Sequence, residues 1–244
     1  MSHGRLILKR VHDSPHIYII DNFLTETELN HCHSIIQQAK FQKSFVDASE
    51  TTKSSSSSTS IMTTTTARVD TEHRTSTFVS VAKQADRIIA AMERKSAELL
   101  GLHVDRLEPL QLVRYQKDQF FGVHHDLGTL IDDDGDEYGT VELPPKSTHV
   151  KRRLVTLFCY LNTVEQGGCT YFPALRDPRT TTMKDTTMTT MQELRVAPVR
   201  GRAVLFCNIL KDGDADPRTI HAGEPVRGSK GTVKYGMNIW ACEE

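Results

Sequence analysis

The run FFGVHHDLG, residues 120–128, places three metal-binding side chains at consecutive positions. In an extended strand successive side chains alternate faces, so His124 and Asp126 share one face, roughly 6 to 7 Å apart along the chain, and His125 points the other way. Two ligands so placed can reach one small ion, and a third must come from elsewhere. His221, in DPRTIHAGEPV, is the candidate, standing between an apolar strand pattern and the last one. Two imidazoles and one carboxylate on one side of a metal leave the opposite positions open, the arrangement expected of non-haem Fe(II) oxygenases. Zinc accepts the same three ligands, so the residue types alone leave the metal open.

Such ligands need rigid elements to hold them. Short β-rich runs are spread along the chain: HIYII from His16, LQLVRY from Leu110, RLVTLFCYLN from Arg153, TYF from Thr170, ELRVAP from Glu193, RAVLFC from Arg202 and VKYGMNIWA from Val233. Turn formers such as QGG, KDGDADP and RGSKG part them. Two segments have helical periodicity instead. In TETELNHCHSIIQQAK, Thr25 and Glu28 have capping-box spacing, and Leu29, Cys32, Ile36 and Ala39 then step along one face. In QADRIIAAMERKSAELLG, Ala85, Ile88, Ile89, Met92, Leu99 and Leu100 form a similar stripe that Gly101 can end. Two amphipathic helices against a sheet, followed by many short strands, predict an α+β fold whose strands form a sandwich or barrel.

The 244 residues, 38% hydrophobic and 25% charged, suit one domain with a substantial core. With 30 basic against 31 acidic side chains there is no electrostatic footprint for nucleic acid, and no nucleic-acid partner is expected. No run approaches the roughly 20 apolar residues of a bilayer helix, so no membrane partner is expected either. The first residues, MSHGRLILKRVHDSPH, hold only LIL where a signal peptide needs an apolar core, and ACEE is not a retention signal. Five scattered cysteines without CxxC spacing point to free thiols, and the expected location is cytoplasm or nucleus. Three polar stretches interrupt the pattern: the Ser/Thr tract 49–66, a second at 180–190, and the acidic IDDDGDEYG from Ile131. They define expected mobile loops at about 47–73, 131–149 and 177–192.

Several of these runs fall in a familiar order. RTSTF at residues 74–78, the helical segment, EPLQLVRYQKDQFFGVHHD, RLVTLFCYLNTVEQGGCTYFP, GRAVLF and DPRTIHAGEPV succeed one another. In that order the chain resembles the prolyl 4-hydroxylase branch of the 2-oxoglutarate and Fe(II)-dependent dioxygenases, from about Arg74 to Trp240. The resemblance implies a double-stranded β-helix, or jelly roll, at about 106–244, with N-terminal helical support at about 1–105. It implies iron on His124, Asp126 and His221, with 2-oxoglutarate, O2 and ascorbate completing the set of cofactors.

Family members hold the distal carboxylate of 2-oxoglutarate with a Lys or Arg six residues before a Trp. Lys234 stands six before Trp240. Lys230 is the rival, and Lys234 is preferred because RGSKG reads as a solvated turn. The resemblance also suggests that the Tyr160 hydroxyl shares this carboxylate, with Tyr115 and Thr156 facing the same cavity. Phe121 departs from the family, many of whose members have Tyr there. In the RTSTF element Arg74, with Arg68 and Asp70 before it, is the expected contact for a peptide. The implied activity is 4-hydroxylation of prolyl residues in a peptide or protein, with succinate and CO2 as co-products. The alternatives are hydroxylation of another side chain or of a free amino acid, or a non-catalytic jelly-roll binding module.

Overall fold

The computed structural model describes residues 6–43, 73–131, 140–143, 151–179, 182–184, 188–190 and 192–244. The Ser/Thr tract 49–66, Arg68, Asp70 and most of the acidic loop lie outside these residues. The strands are β1 (Leu8–Asp13), β2 (His16–Ile20), β3 (Gln42–Lys43), β4 (Thr77–Ser80), β5 (Gln111–Gln116), β6 (Phe121–His124), β7 (Thr129–Ile131) and β8 (Thr140–Glu142). They continue with β9 (Arg153–Tyr160), β10 (Thr170–Arg176), β11 (Thr182–Lys184), β12 (Met188–Thr190), β13 (Glu193–Val196), β14 (Ala203–Cys207), β15 (His221–Gly223) and β16 (Val233–Cys242). The helices are α1 (Glu26–Gln38) and α2 (Arg87–Leu100).

Both helices start where the sequence says they should. Thr25 Oγ1 accepts the Glu28 N–H and the Glu28 carboxylate accepts the Thr25 N–H, a complete capping box for α1. Asp86 accepts the N–H groups of Ile88 and Ile89 at the start of α2, and Gly101 ends it in the left-handed region at φ 67°. The buried stripes are Leu29, Cys32 and Ile36 on α1 and Ile89, Met92 and Ala97 on α2. Ala85 stands before α2 and is exposed, because the Asp86 cap starts the helix after it. Lys95 of α2 reaches both carboxylate oxygens of Glu28 at 2.7 Å and the Phe23 carbonyl at 2.8 Å, tying the helices together.

An eight-stranded antiparallel sheet runs in the order β1-β2-β14-β9-β16-β5-β4-β3, and a four-stranded sheet in the order β13-β10-β15-β6. Strand alternation sorts the central residues into two layers. Leu112, Leu157, Cys159, Met237 and Ile239 pack under the helices. Their neighbours of opposite phase, among them Val113, Phe158, Tyr160, Val204 and Phe206, face the smaller sheet. This is the jelly-roll sandwich with helices on one outer face that the sequence predicts.

Two expectations need correction. The segment before residue 105 is not purely helical support, since β1 to β4 extend both edges of the large sheet. The regions expected as loops also contain two short ribbons, β7 with β8 and β11 with β12.

Candidate active site

The distal histidine reaches the other two ligands by strand pairing. Strand β15 runs antiparallel to β6, with His221 directly opposite His124. Asp126 follows just past the end of β6, and His125 turns away to bond the Asp216 carbonyl at 3.1 Å and the Thr219 hydroxyl at 3.1 Å. His124 Nε2 lies 3.6 Å from Asp126 Oδ1, and His221 Nε2 lies 3.7 Å from Asp126 Oδ2. The three ligand atoms sit within 4.8 Å of one another.

Second contacts fix how these groups present themselves. His124 Nδ1 bonds the Gly122 carbonyl at 2.9 Å, and His221 Nδ1 bonds the Thr219 carbonyl at 3.0 Å. A carbonyl only accepts, so each Nδ1 carries the proton and each Nε2 offers its lone pair to the centre of the cluster. Burial, reinforced by His124, pulls the His221 imidazole down to about 3, so it is neutral at physiological pH. Burial alone would raise the Asp126 carboxyl, but His221 and His124 beside it hold it well below the ordinary carboxylate range. Thr156 Oγ1 donates to Asp126 Oδ2 at 2.6 Å and Trp240 Nε1 donates to the same oxygen at 3.1 Å. The result is two imidazole Nε2 atoms and one carboxylate converging on one point, a donor set that fits Fe(II).

The triad lines one wall of a cavity, and Lys234 stands on the wall of the same cavity. Lys234 is 1% exposed, and among the described residues no carboxylate lies within ion-pair distance of its ammonium. Its Nζ sits 4.9 Å from the centre of the Tyr115 ring, 5.2 Å from Phe158 and 5.5 Å from Tyr160. Burial pulls this ammonium down to about 8, with Cys169 and Glu224 keeping it from falling further. An enclosed cation without an anion is costly, and a dicarboxylate spanning from the metal would supply the missing charge. Lys230 is exposed in the turn between Ser229 and Thr232 and does not reach the cavity.

The remaining expected residues divide. Tyr115 lines the cavity, and burial raises its hydroxyl above the ordinary phenol range. Thr156 also lines it, but its hydroxyl hydrogen is committed to Asp126. Tyr160 does not belong to the cavity wall: its hydroxyl pairs with Thr170 Oγ1 at 2.6 Å and donates to the Val196 carbonyl at 3.0 Å, both inside the core. Thr170 takes its place on the wall, a residue the sequence reading passed over although it is the Thr of GGCTYF. Arg74 is not part of the wall either. Its guanidinium lies 4.2 Å over the Phe121 ring, whose other face stacks on His124 at 3.5 Å between centroids.

Fold and site together define a jelly-roll protein with a two-histidine, one-carboxylate metal centre and a buried lysine on the wall of the same cavity. Residues 110–242 match the family model of the 2OG-Fe(II) oxygenase superfamily. The chain belongs to that superfamily, and it is a 2-oxoglutarate-dependent dioxygenase that uses Fe(II) and O2. It is 29% identical over 230 residues to probable prolyl 4-hydroxylase 3 of Arabidopsis thaliana, covering 92% of this chain and 70% of that protein. It is 28% identical over 230 residues to prolyl 4-hydroxylase 1 of the same plant, covering 92% and 69%. Among solved structures it resembles the viral collagen prolyl hydroxylase of Paramecium Bursaria Chlorella virus-1 in its 2OG complex, with a TM-score of 0.56, 21% identity, and 92% and 94% of the two chains covered.

When bound, Fe(II) and 2-oxoglutarate couple cleavage of the oxo acid to succinate and CO2 with insertion of one oxygen atom from O2 into a substrate C–H bond. The chain's own residues hold and shield. His124, Asp126 and His221 would carry the metal, Lys234 would take the far carboxylate, and the rings of Phe158, Phe206 and Trp240 exclude water from the cavity between them.

Proposed function

We propose that this enzyme hydroxylates prolyl residues of a peptide or protein at the 4-position. The observation that carries this reading is the asymmetry of the cavity. Lys234 closes it at 1% exposure, whereas the His124 side chain is 18% exposed, so substrate enters past β6. At that entrance the Phe121 ring is flanked by the Arg74 guanidinium, whose Nε donates to Ser76 Oγ at 2.9 Å. The remaining guanidinium hydrogens of Arg74 suit the backbone carbonyls of an extended peptide. The names of the plant relatives, prolyl 4-hydroxylases, support the same substrate class.

The test is incubation of the full chain with Fe(II), 2-oxoglutarate and a panel of proline-containing peptides. Succinate release should match 4-hydroxyproline formed, read by mass spectrometry. Succinate without hydroxyproline across the panel would transfer the activity to another substrate. Arg74→Ala should raise the peptide KM by about 10-fold, the loss of one or two charge-assisted hydrogen bonds, with the 2-oxoglutarate KM unchanged. An unchanged peptide KM would remove Arg74 from the substrate site.

A further inference from the structure

Asn208, one residue past the end of β14, is fully buried, and among the described residues its Oδ1 has no hydrogen-bond partner. Leaving a buried amide oxygen unpaired is costly, so the amide must be held there by its other contacts. Its Nδ2 donates to the Arg153 carbonyl at 3.0 Å and to Thr156 Oγ1 at 3.0 Å. The carbonyl can only accept, which fixes the nitrogen, and not the oxygen, on this side of the amide. Thr156 Oγ1 therefore receives a hydrogen from Asn208, and the one hydrogen it owns is directed to Asp126 Oδ2 at 2.6 Å. The order of donation runs one way, from Asn208 through Thr156 to the carboxylate.

The backbone of Asn208 is equally committed. Its N–H bonds the Leu154 carbonyl of β9 at 2.8 Å, and its carbonyl accepts the Asp216 N–H at 3.0 Å. From Asp216 the contacts pass to Thr219, whose N–H bonds the Asp216 carbonyl at 3.0 Å and whose own carbonyl takes His221 Nδ1. One residue thus touches the strand that steadies Asp126 and the turn that carries His221.

We propose that Asn208 is a positioning residue for the metal centre: it locks the Thr156 hydroxyl hydrogen onto Asp126 Oδ2, so that this oxygen, already shared with Trp240, is withheld and the carboxylate meets the metal through Oδ1 alone. Without Asn208, Thr156 is free to rotate its hydroxyl toward other acceptors, and Asp126 loses the contact that fixes its orientation toward the other two ligands.

The experiment is a double-mutant cycle read by Co2+ titration of the metal-free full chain, by calorimetry and visible absorption. Asn208→Leu keeps the branched shape while removing the donor, and Thr156→Val removes the hydroxyl. Outer contacts of this kind change metal affinity by about 10- to 100-fold. Asn208→Leu should weaken Co2+ binding about 10-fold in the parent and less than about 2-fold in the Thr156→Val background. The Co2+ absorption of the single variant should also change, as Asp126 is no longer held in one orientation. Equal losses in both backgrounds, or a lowered Tm with unchanged Co2+ affinity and spectrum, would overturn the proposal and leave Asn208 a packing residue. If Asn208→Leu does not fold, Asn208→Ala in the same cycle decides it, with Thr156→Ser expected to keep the parent affinity. The proposal rests on the triad binding metal and not on the prolyl substrate: a parent chain that takes up no Co2+ would sink the metal centre itself, whereas absent peptide hydroxylation with intact uptake would touch only the substrate.

Discussion

Lys234 has three aromatic rings around its ammonium and, among the described residues, no carboxylate in reach. Its free energy is poor until an anion arrives, which is what a site for the far end of 2-oxoglutarate requires. Two consequences follow for pH. In the enzyme without 2-oxoglutarate the ammonium loses its proton near about 8, so affinity for 2-oxoglutarate should be level below that pH and weaken as pH rises through it. A dissociation constant that stays flat up to pH 10 would assign the carboxylate to another group. For stability the sign is reversed: between about 8 and the ordinary 10.5 the unfolded chain holds a proton that the folded chain does not, so the ligand-free fold gains stability as pH rises through that window. The burden at neutral pH is on the order of 3 kcal/mol. Lys234→Met should therefore stabilise the ligand-free protein to urea at pH 7, remove its gain above pH 8, raise the 2-oxoglutarate KM by more than about 10-fold, and leave Co2+ affinity unaltered.

Strand β16 shows how one element sets the cavity. Its alternation turns Met237 and Ile239 to the helices and Lys234, Asn238 and Trp240 to the cavity, with Gly236 between them. A Cβ at Gly236 would stand 2.3 Å from Cζ of Phe158, whose ring lies beside Lys234. Gly236→Ala should force that ring aside, lowering stability by about 1 to 3 kcal/mol and raising the 2-oxoglutarate KM with little change in Co2+ affinity. An unaltered KM would mean that the ring yields away from the cosubstrate site. This strand was legible in the sequence because a ten-residue run with clean alternation encodes both its faces. The caps of α1 and α2 were legible for the same reason, a local rule written in adjacent residues. Strand β1 was not, because only Val11 of its six residues is buried and its polar face carries no pattern. Strand β15, three residues long, is too short to show a period, although it carries His221. Alternation put Tyr160 on the correct face but could not say where its hydroxyl points, which Thr170 and the Val196 carbonyl of neighbouring strands decide. Asn208 was invisible for a related reason, since its partners come from β9 and nothing near it in sequence marks them.

At the scale of the whole molecule the site is a joint between the two sheets. His124 and His221 belong to the small sheet, while Asp126, at the end of β6, is held to the large one by Thr156 of β9 and Trp240 of β16. An ion taken by all three ligands closes the gap between the layers, and its binding energy becomes folding energy. Saturation at about 100 times the dissociation constant contributes about 2.7 kcal/mol. For a domain of this size each kcal/mol moves Tm by roughly 2 to 4 °C, so Co2+ should raise Tm by about 5 to 10 °C. His221→Ala should abolish that rise, because the remaining two ligands lie on one short segment, and an ion held by them alone gains nothing from keeping β15 in place. If the rise survived His221→Ala, the ion would be binding without bridging β6 and β15, and the triad would have to be redrawn.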